Sequence, residues 1–182
     1  WLNFLREFGL GGILADDMGL GKTLQTLSLL LSIKQRGELT QPALIVCPTS
    51  LLGNWLAEAA RFTPQLRVLQ VHGNKRQPLF NELADYDVIV TSYPLVVRDH
   101  KYYQQQPLSA VILDEAQHIK NADSQAAKAV RLLKAGFKLA LSGTPLENHL
   151  GELKSIFDFV LPGLLGNDAH FNQVYRKPIE KH

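Results

Sequence analysis

GGILADDMGLGKTLQT, residues 11–26, places a short apolar run ahead of a tight glycine turn and a helix. Ile13-Leu14-Ala15 read as the end of a buried strand, residues 16–21 as the turn, and Lys22-Thr23 as the start of the helix. The first backbone N–H groups of such a helix have no intrahelical partner and point back at the turn, which suits a polyphosphate. Lys22 is placed to reach its β and γ phosphates, and the Thr23 hydroxyl to take a coordination position on Mg²⁺. The pattern follows G-x-x-x-x-G-K-[ST] except at Asp16, where a glycine is expected. A chance Gly-Lys-Thr between a strand and a helix is the bland alternative. The apolar run before it and the helical run after it argue against chance.

Working outward, residues 1–9 are predicted to end an amphipathic helix with Trp1, Leu2, Leu5 and Phe8 near one face. Residues 22–35 are apolar enough for a helix packed mostly on a sheet. Strands are predicted at residues 42–47, 66–71, 87–92, 110–115 and 137–141, each a short β-rich run. Between them, helices are predicted through Trp55 towards Phe62, at 74–84, at 95–102 and at 122–133. A further helix spans 150–160, and a short one lies around 170–175. The alternation predicts an α/β fold, a mostly parallel sheet of about six or seven strands with helices on both faces. Ligands of such sheets sit beyond the C-terminal strand ends, and the residues suited to chemistry cluster in those loops.

At 182 residues the chain is long enough for one domain with a core. Hydrophobic residues make up 46% and charged residues 20%, an ordinary globular composition. A net charge of +2 neither requires nor excludes a polyanionic partner. The single cysteine, Cys47, has no intrachain disulfide partner and reads as a buried thiol in a reducing compartment. No signal peptide is read at the start, and no apolar stretch approaches the ~18 residues of a membrane span, so neither secretion nor a membrane partner is expected. Because it opens on Trp1 without an initiator Met, the sequence is expected to be a piece of a longer chain.

A second chemical signal is VILDEAQH, residues 111–118, where an apolar strand delivers two adjacent carboxylates. Side chains alternate along a strand, so the two need not share a task. Asp114 is assigned to the metal and Glu115 to the base that acts on an attacking water. An exposed acidic strand end is the alternative. A third signal is Ser142-Gly143-Thr144-Pro145, whose hydroxyls suit γ-phosphate sensing and whose Gly and Pro suit a plain turn.

Residues 16–23 (DDMGLGKT), 114–121 (DEAQHIKN) and 142–148 (SGTPLEN) resemble motifs I, II and III of the Snf2/Swi2 family, within the superfamily 2 helicase-like motors. Residues 45–55 (IVCPTSLLGNW) resemble motif Ia and Thr91-Ser92-Tyr93 motif Ib, and the similarity continues through 152–166. Asp16, irregular in the general phosphate loop, is expected in this family. The resemblance implies a RecA-like ATP-binding lobe over residues 1–166, with 167–182 beginning a C-terminal extension towards a second lobe.

It implies ATP and Mg²⁺ as cofactors, double-stranded DNA as partner, and a possible DNA-bound protein as target. Asp17, Met18, Gly19, Leu20, Gly21, Lys22, Thr23 and Leu24 would bind nucleotide, and Thr23 and Asp114 would hold the metal. Lys22, Asp114 and Glu115 would carry catalysis, while Ser142, Gly143, Thr144 and Pro145 would couple nucleotide state to DNA. Adenine recognition is expected upstream of Trp1. Location would be nucleoid-associated in a prokaryotic cytoplasm, or nuclear in a eukaryote.

A sequence-indifferent motor contacts phosphates, not base edges. Pro48, Thr49, Ser50, Thr91 and Ser92 are the DNA candidates, with Lys75, Arg76 and Lys120 as possible additions. Trp55 reads as a packed aromatic. Two other functions stand beside the DNA motor: a nucleotide-gated binding module without useful catalysis, and a superfamily 2 helicase acting on RNA or single strands.

Overall fold

A computed structural model describes residues 1–17, 19–143 and 150–180. Six parallel strands form one sheet: β1 (Gly12–Leu14), β2 (Ala43–Cys47), β3 (Val68–Gln70), β4 (Val88–Ser92), β5 (Leu108–Leu113) and β6 (Ala135–Leu141). Their spatial order is β1-β6-β5-β2-β4-β3. The chain therefore builds β2, β3 and β4 on one side, then crosses β2 to lay down β5 and β6 and close against β1. The helices are α1 (Leu2–Glu7), α2 (Lys22–Gln35), α3 (Leu52–Phe62), α4 (Tyr93–Gln105), α5 (Gln125–Arg131) and α6 (Leu150–Val160). A helical run of α7 (Asp168–Phe171), a π-helical turn at Asn172–Arg176 and α8 (Lys177–Glu180) follows.

β2 shows why the sheet is double-sided. All five of its residues are fully buried, and they alternate between two cores. Ala43, Ile45 and Cys47 join Leu27 and Leu30 of α2 and Trp55 of α3. Leu44 and Val46 join Val96 of α4, Val130 of α5 and Phe159 of α6. Burying a side chain such as Leu44 or Ile45 contributes about 1.5–3 kcal/mol, so this strand is a large part of what holds the layers together.

The predicted architecture is the observed one, with differences at element ends. α1 forms, yet Trp1 and Phe8 remain 66% and 65% exposed, and only Leu2 and Leu5 pack partly against the α2 side. The predicted helix at 74–84 is instead two 3₁₀ segments, Gln77–Asn81 and Leu83–Asp85. Pro78 opens the first, which stops at Glu82, too short a run for an α-helix to propagate. The helix expected from 122 begins at Gln125, because the Ser124 side chain accepts from the Ala127 N–H and caps it there. β5 ends at Leu113, so Asp114 and Glu115 lie beyond the strand, not on it.

Candidate nucleotide site and nucleic-acid face

β1 delivers the phosphate loop. Gly19 and Gly21 both have positive φ, at 86° and 76°, a conformation open to glycine at no steric cost. A Cβ added at either would meet nothing within 4 Å, so both face open space. Gly21 caps α2 with no side-chain acceptor, leaving the first N–H groups of the helix free to receive an anion. Lys22 folds back over the loop, its Nζ donating to the backbone oxygens of Asp16 at 2.7 Å and Asp17 at 3.0 Å. Gln25 donates to Leu20 O at 3.2 Å and bridges the same loop.

β5 delivers the carboxylates on the facing side. Asp114 is 7% exposed, and both its oxygens are occupied. Oδ2 accepts from Trp55 Nε1 at 2.8 Å and Oδ1 from the Glu115 backbone N–H at 2.9 Å. Burial pushes the Asp114 carboxyl up, with the Glu115 charge adding to it, while the Trp55 N–H and the Lys22 cation hold it back. Glu115, at φ 49° and ψ 57°, is the only non-glycine residue with positive φ among the described residues. Such backbone strain, about 1–2 kcal/mol for an L-residue, concentrates at functional sites. The Glu115 side chain accepts from Gln117 Nε2, and Gln117 Oε1 accepts from Ser142 Oγ at 3.1 Å. A polar chain thus runs from the end of β6 to the acidic pair.

The two loops meet. Gly19, Gly21, Lys22 and Thr23 share one cleft of about 270 Å³ with Asp114, Glu115, Leu51 and, on α3, Asn54 and Glu58. Among the described residues no cluster of three or more His, Cys, Asp or Glu is placed to hold a metal ion. Thr23 and Asp114 offer the sparse oxygen set that Mg²⁺ accepts alongside phosphates and water. Asp17 and Leu20 lie in the loop, and Leu24 begins α2 partly exposed. Met18, Thr144 and Pro145 lie outside the described residues, while Gly143 follows the buried Ser142.

The nucleic-acid candidates divide. Thr49 and Ser50 are exposed and Pro48 half-buried, at the C-terminal end of β2. Thr91 and Ser92 are 0% and 1% exposed, and the Thr91 hydroxyl donates to Val71 O at 3.0 Å. Neither side chain is available to a phosphate in this conformation, because β4 is covered on both faces. Arg76 is likewise no free cation: it forms a buried bidentate pair with Asp99, Nε to Oδ2 at 2.6 Å and NH2 to Oδ1 at 2.9 Å. Lys75 beside it is exposed, and Lys120 pairs with Glu152 at 3.6 Å. Cys47 is buried and inert, its thiol pushed up to about 12 by burial and by the Asp114 charge.

The sequence profile of the SNF2-related domain matches residues 1–182. The chain belongs to this family. It is 46% identical over 185 residues to the putative ATP-dependent helicase/translocase YwqA of Bacillus subtilis, covering 100% of this chain and 20% of that protein. It is 38% identical to the human chromatin-remodeling ATPase INO80, over 100% of this chain and 12% of that one. Among solved structures, the Sulfolobus solfataricus SWI2/SNF2 ATPase core in complex with dsDNA superposes with a TM-score of 0.92 at 42% identity, covering 100% of this chain and 38% of that chain. The family and the RecA-like fold read from the motifs are therefore those of this SNF2-related domain, which spans a fifth or less of these two relatives.

Trp55, Gln117, Asn54 and Glu58 were not singled out for the site by sequence reasoning. Asn54 and Trp55 fall inside the stretch resembling motif Ia, and Gln117 inside motif II. Membership of those motifs was the available signal, and the pairing across the fold was not.

Proposed function

We propose that this domain is the first motor lobe of an ATP-dependent translocase on double-stranded DNA, binding Mg-ATP in the cleft between the glycine loop and the acidic pair. The observation that supports it most is that Lys22 and Thr23 share one cleft with Asp114 and Glu115. In this reading Lys22 leaves the Asp16 and Asp17 carbonyls and donates to the β and γ phosphates. Thr23 and Asp114 would hold Mg²⁺, which when bound would supply positive charge against the phosphates. Glu115, oriented by Gln117, accepts a proton from the water that attacks the γ phosphorus as the bond to the β-phosphate oxygen breaks. Ser142, through Gln117, ties that carboxylate to the end of β6. Thr49 and Ser50, in the turn that Pro48 opens, present backbone N–H and hydroxyl donors to DNA phosphates, and a second lobe of the full-length protein completes the site. The similarity to a core solved with dsDNA supports the choice of duplex.

The test uses the full-length protein. Lys22→Ala removes charge-assisted hydrogen bonds worth about 1.5–3 kcal/mol, so affinity for a fluorescent ATP analogue should fall roughly 10- to 100-fold. ATPase should be stimulated by double-stranded DNA above single strands or RNA. Undiminished nucleotide affinity, or stimulation by RNA alone, contradicts the proposal.

A further inference from the structure

Beyond that reading, and resting on it, we propose that Trp55 is a positioning residue that links the β2 strand end to Asp114. The indole is 1% exposed, held between α3 and the sheet, and its N–H donates across 59 residues of sequence to Asp114 Oδ2. With Glu115 N–H on the other oxygen, each Asp114 oxygen has one fixed donor and keeps an acceptor position for the cleft. The carboxylate plane is therefore set from two directions, one of them a helix.

That helix begins at the candidate DNA contact. The 3₁₀ turn Thr49–Leu51 runs directly into α3 at Leu52, and the Leu51 N–H donates back to Pro48 O at 2.9 Å. From Ser50 to Trp55 is about 7–10 Å of helical rise, and the stretch is helical throughout. Asn54 and Glu58, joined at 3.0 Å, carry the same helix into the nucleotide cleft. A phosphate backbone that shifts Thr49 and Ser50 moves the indole N–H, and the Asp114 carboxylate with it. Any buried indole N–H needs an acceptor; here the acceptor is a side-chain oxygen of Asp114 at the cleft, not a backbone carbonyl. A buried N–H satisfied by that particular oxygen couples the two strand ends.

The experiment is made in the full-length protein with Trp55→Phe, reading two quantities. One is the Mg²⁺ concentration for half-maximal binding of a fluorescent ATP analogue, and the other is the ratio of ATPase rates with and without duplex DNA. Losing a partner that orients a metal ligand should raise the Mg²⁺ requirement roughly tenfold and lower the DNA ratio. Since phenylalanine also leaves a gap in the core, the second variant carries β-(3-benzothienyl)alanine at position 55, which keeps the ring shape and replaces only the N–H by sulfur. It should reproduce both changes. A wild-type Mg²⁺ requirement in the benzothienyl protein overturns the inference, as does a raised requirement with an unchanged DNA ratio. Lys22→Ala separates the two levels: if it abolishes nucleotide binding while the benzothienyl protein behaves as wild type, only the Trp55 inference falls. If Lys22→Ala binds normally, the nucleotide reading falls and takes this inference with it.

Discussion

Asp87, at the head of β4, gathers three donor groups from two residues, Lys34 on α2 and Arg67 just ahead of β3. Lys34 Nζ of α2 reaches Oδ2 at 2.6 Å, the Arg67 backbone N–H does so at 2.6 Å, and Arg67 Nε lies at 3.5 Å. Burial pushes its carboxyl up, but the Lys34 and Arg67 donors outweigh burial and hold it below the ordinary carboxylate value. A depressed pKa in the folded state stabilises above the unfolded value of about 3.9, and that stability is lost as pH falls through the folded value. Asp87→Asn should therefore cost about 1.5–3 kcal/mol in urea unfolding at neutral pH, the range for hydrogen bonds to a charged group. The gap between the two proteins should be unchanged at pH 5 and close below ~pH 4. A difference that stays constant down to pH 2 would show that the charge is not what holds the strand head.

At the scale of elements, Arg76 and Asp99 join the loop after β3 to α4. Both side chains are 8% exposed, and Arg76 NH1 also donates to Gly73 O at 2.8 Å, closing the turn on itself. Removing one member of a buried pair strands the other charge, at a cost of about 3–5 kcal/mol. Asp99→Ala should destabilise by that amount in chemical denaturation, and Arg76→Met with Asp99→Leu should recover most of it. A loss of under about 1 kcal/mol, the range of surface pairs, would show the pair to be solvated. This pair also marks the limit of what the sequence discloses. α2 and α6 were legible to the residue because a dense apolar run has one way to bury itself beside a sheet. The phosphate loop and the acidic pair were legible because their chemistry is local in sequence. Arg76 with Asp99, Trp55 with Asp114, and Gln117 with Ser142 are separated by 23, 59 and 25 residues, and only the crossing order of the strands brings them together. Thr91 and Ser92 are candidates for DNA through their resemblance to motif Ib, and only the packing around β4 shows both hydroxyls covered.

For the whole molecule, the decisive feature is that the cleft is built from one side. Among the described residues that line it, Lys22 is the sole cation, facing Asp114, Glu115 and Glu58. Transfer of a γ-phosphoryl group spreads negative charge over three oxygens, and an arginine supplied at that point is worth about 10³–10⁵ in rate. The chain matches only 20% of the length of YwqA and 38% of the solved SWI2/SNF2 core, so in our reading the missing cation comes from outside residues 1–182. The isolated domain should therefore bind Mg-nucleotide yet turn over at least ~10³-fold more slowly than the full-length protein on duplex DNA. Duplex DNA should still leave it far below the full-length rate, because contact at Thr49 and Ser50 brings no arginine to the γ phosphate. Steady-state phosphate release from the purified domain, with and without DNA, measures this directly. A rate of about 1–10 per second without any added protein, ordinary for a complete enzyme, would mean that the one-sided cleft already holds everything that hydrolysis needs.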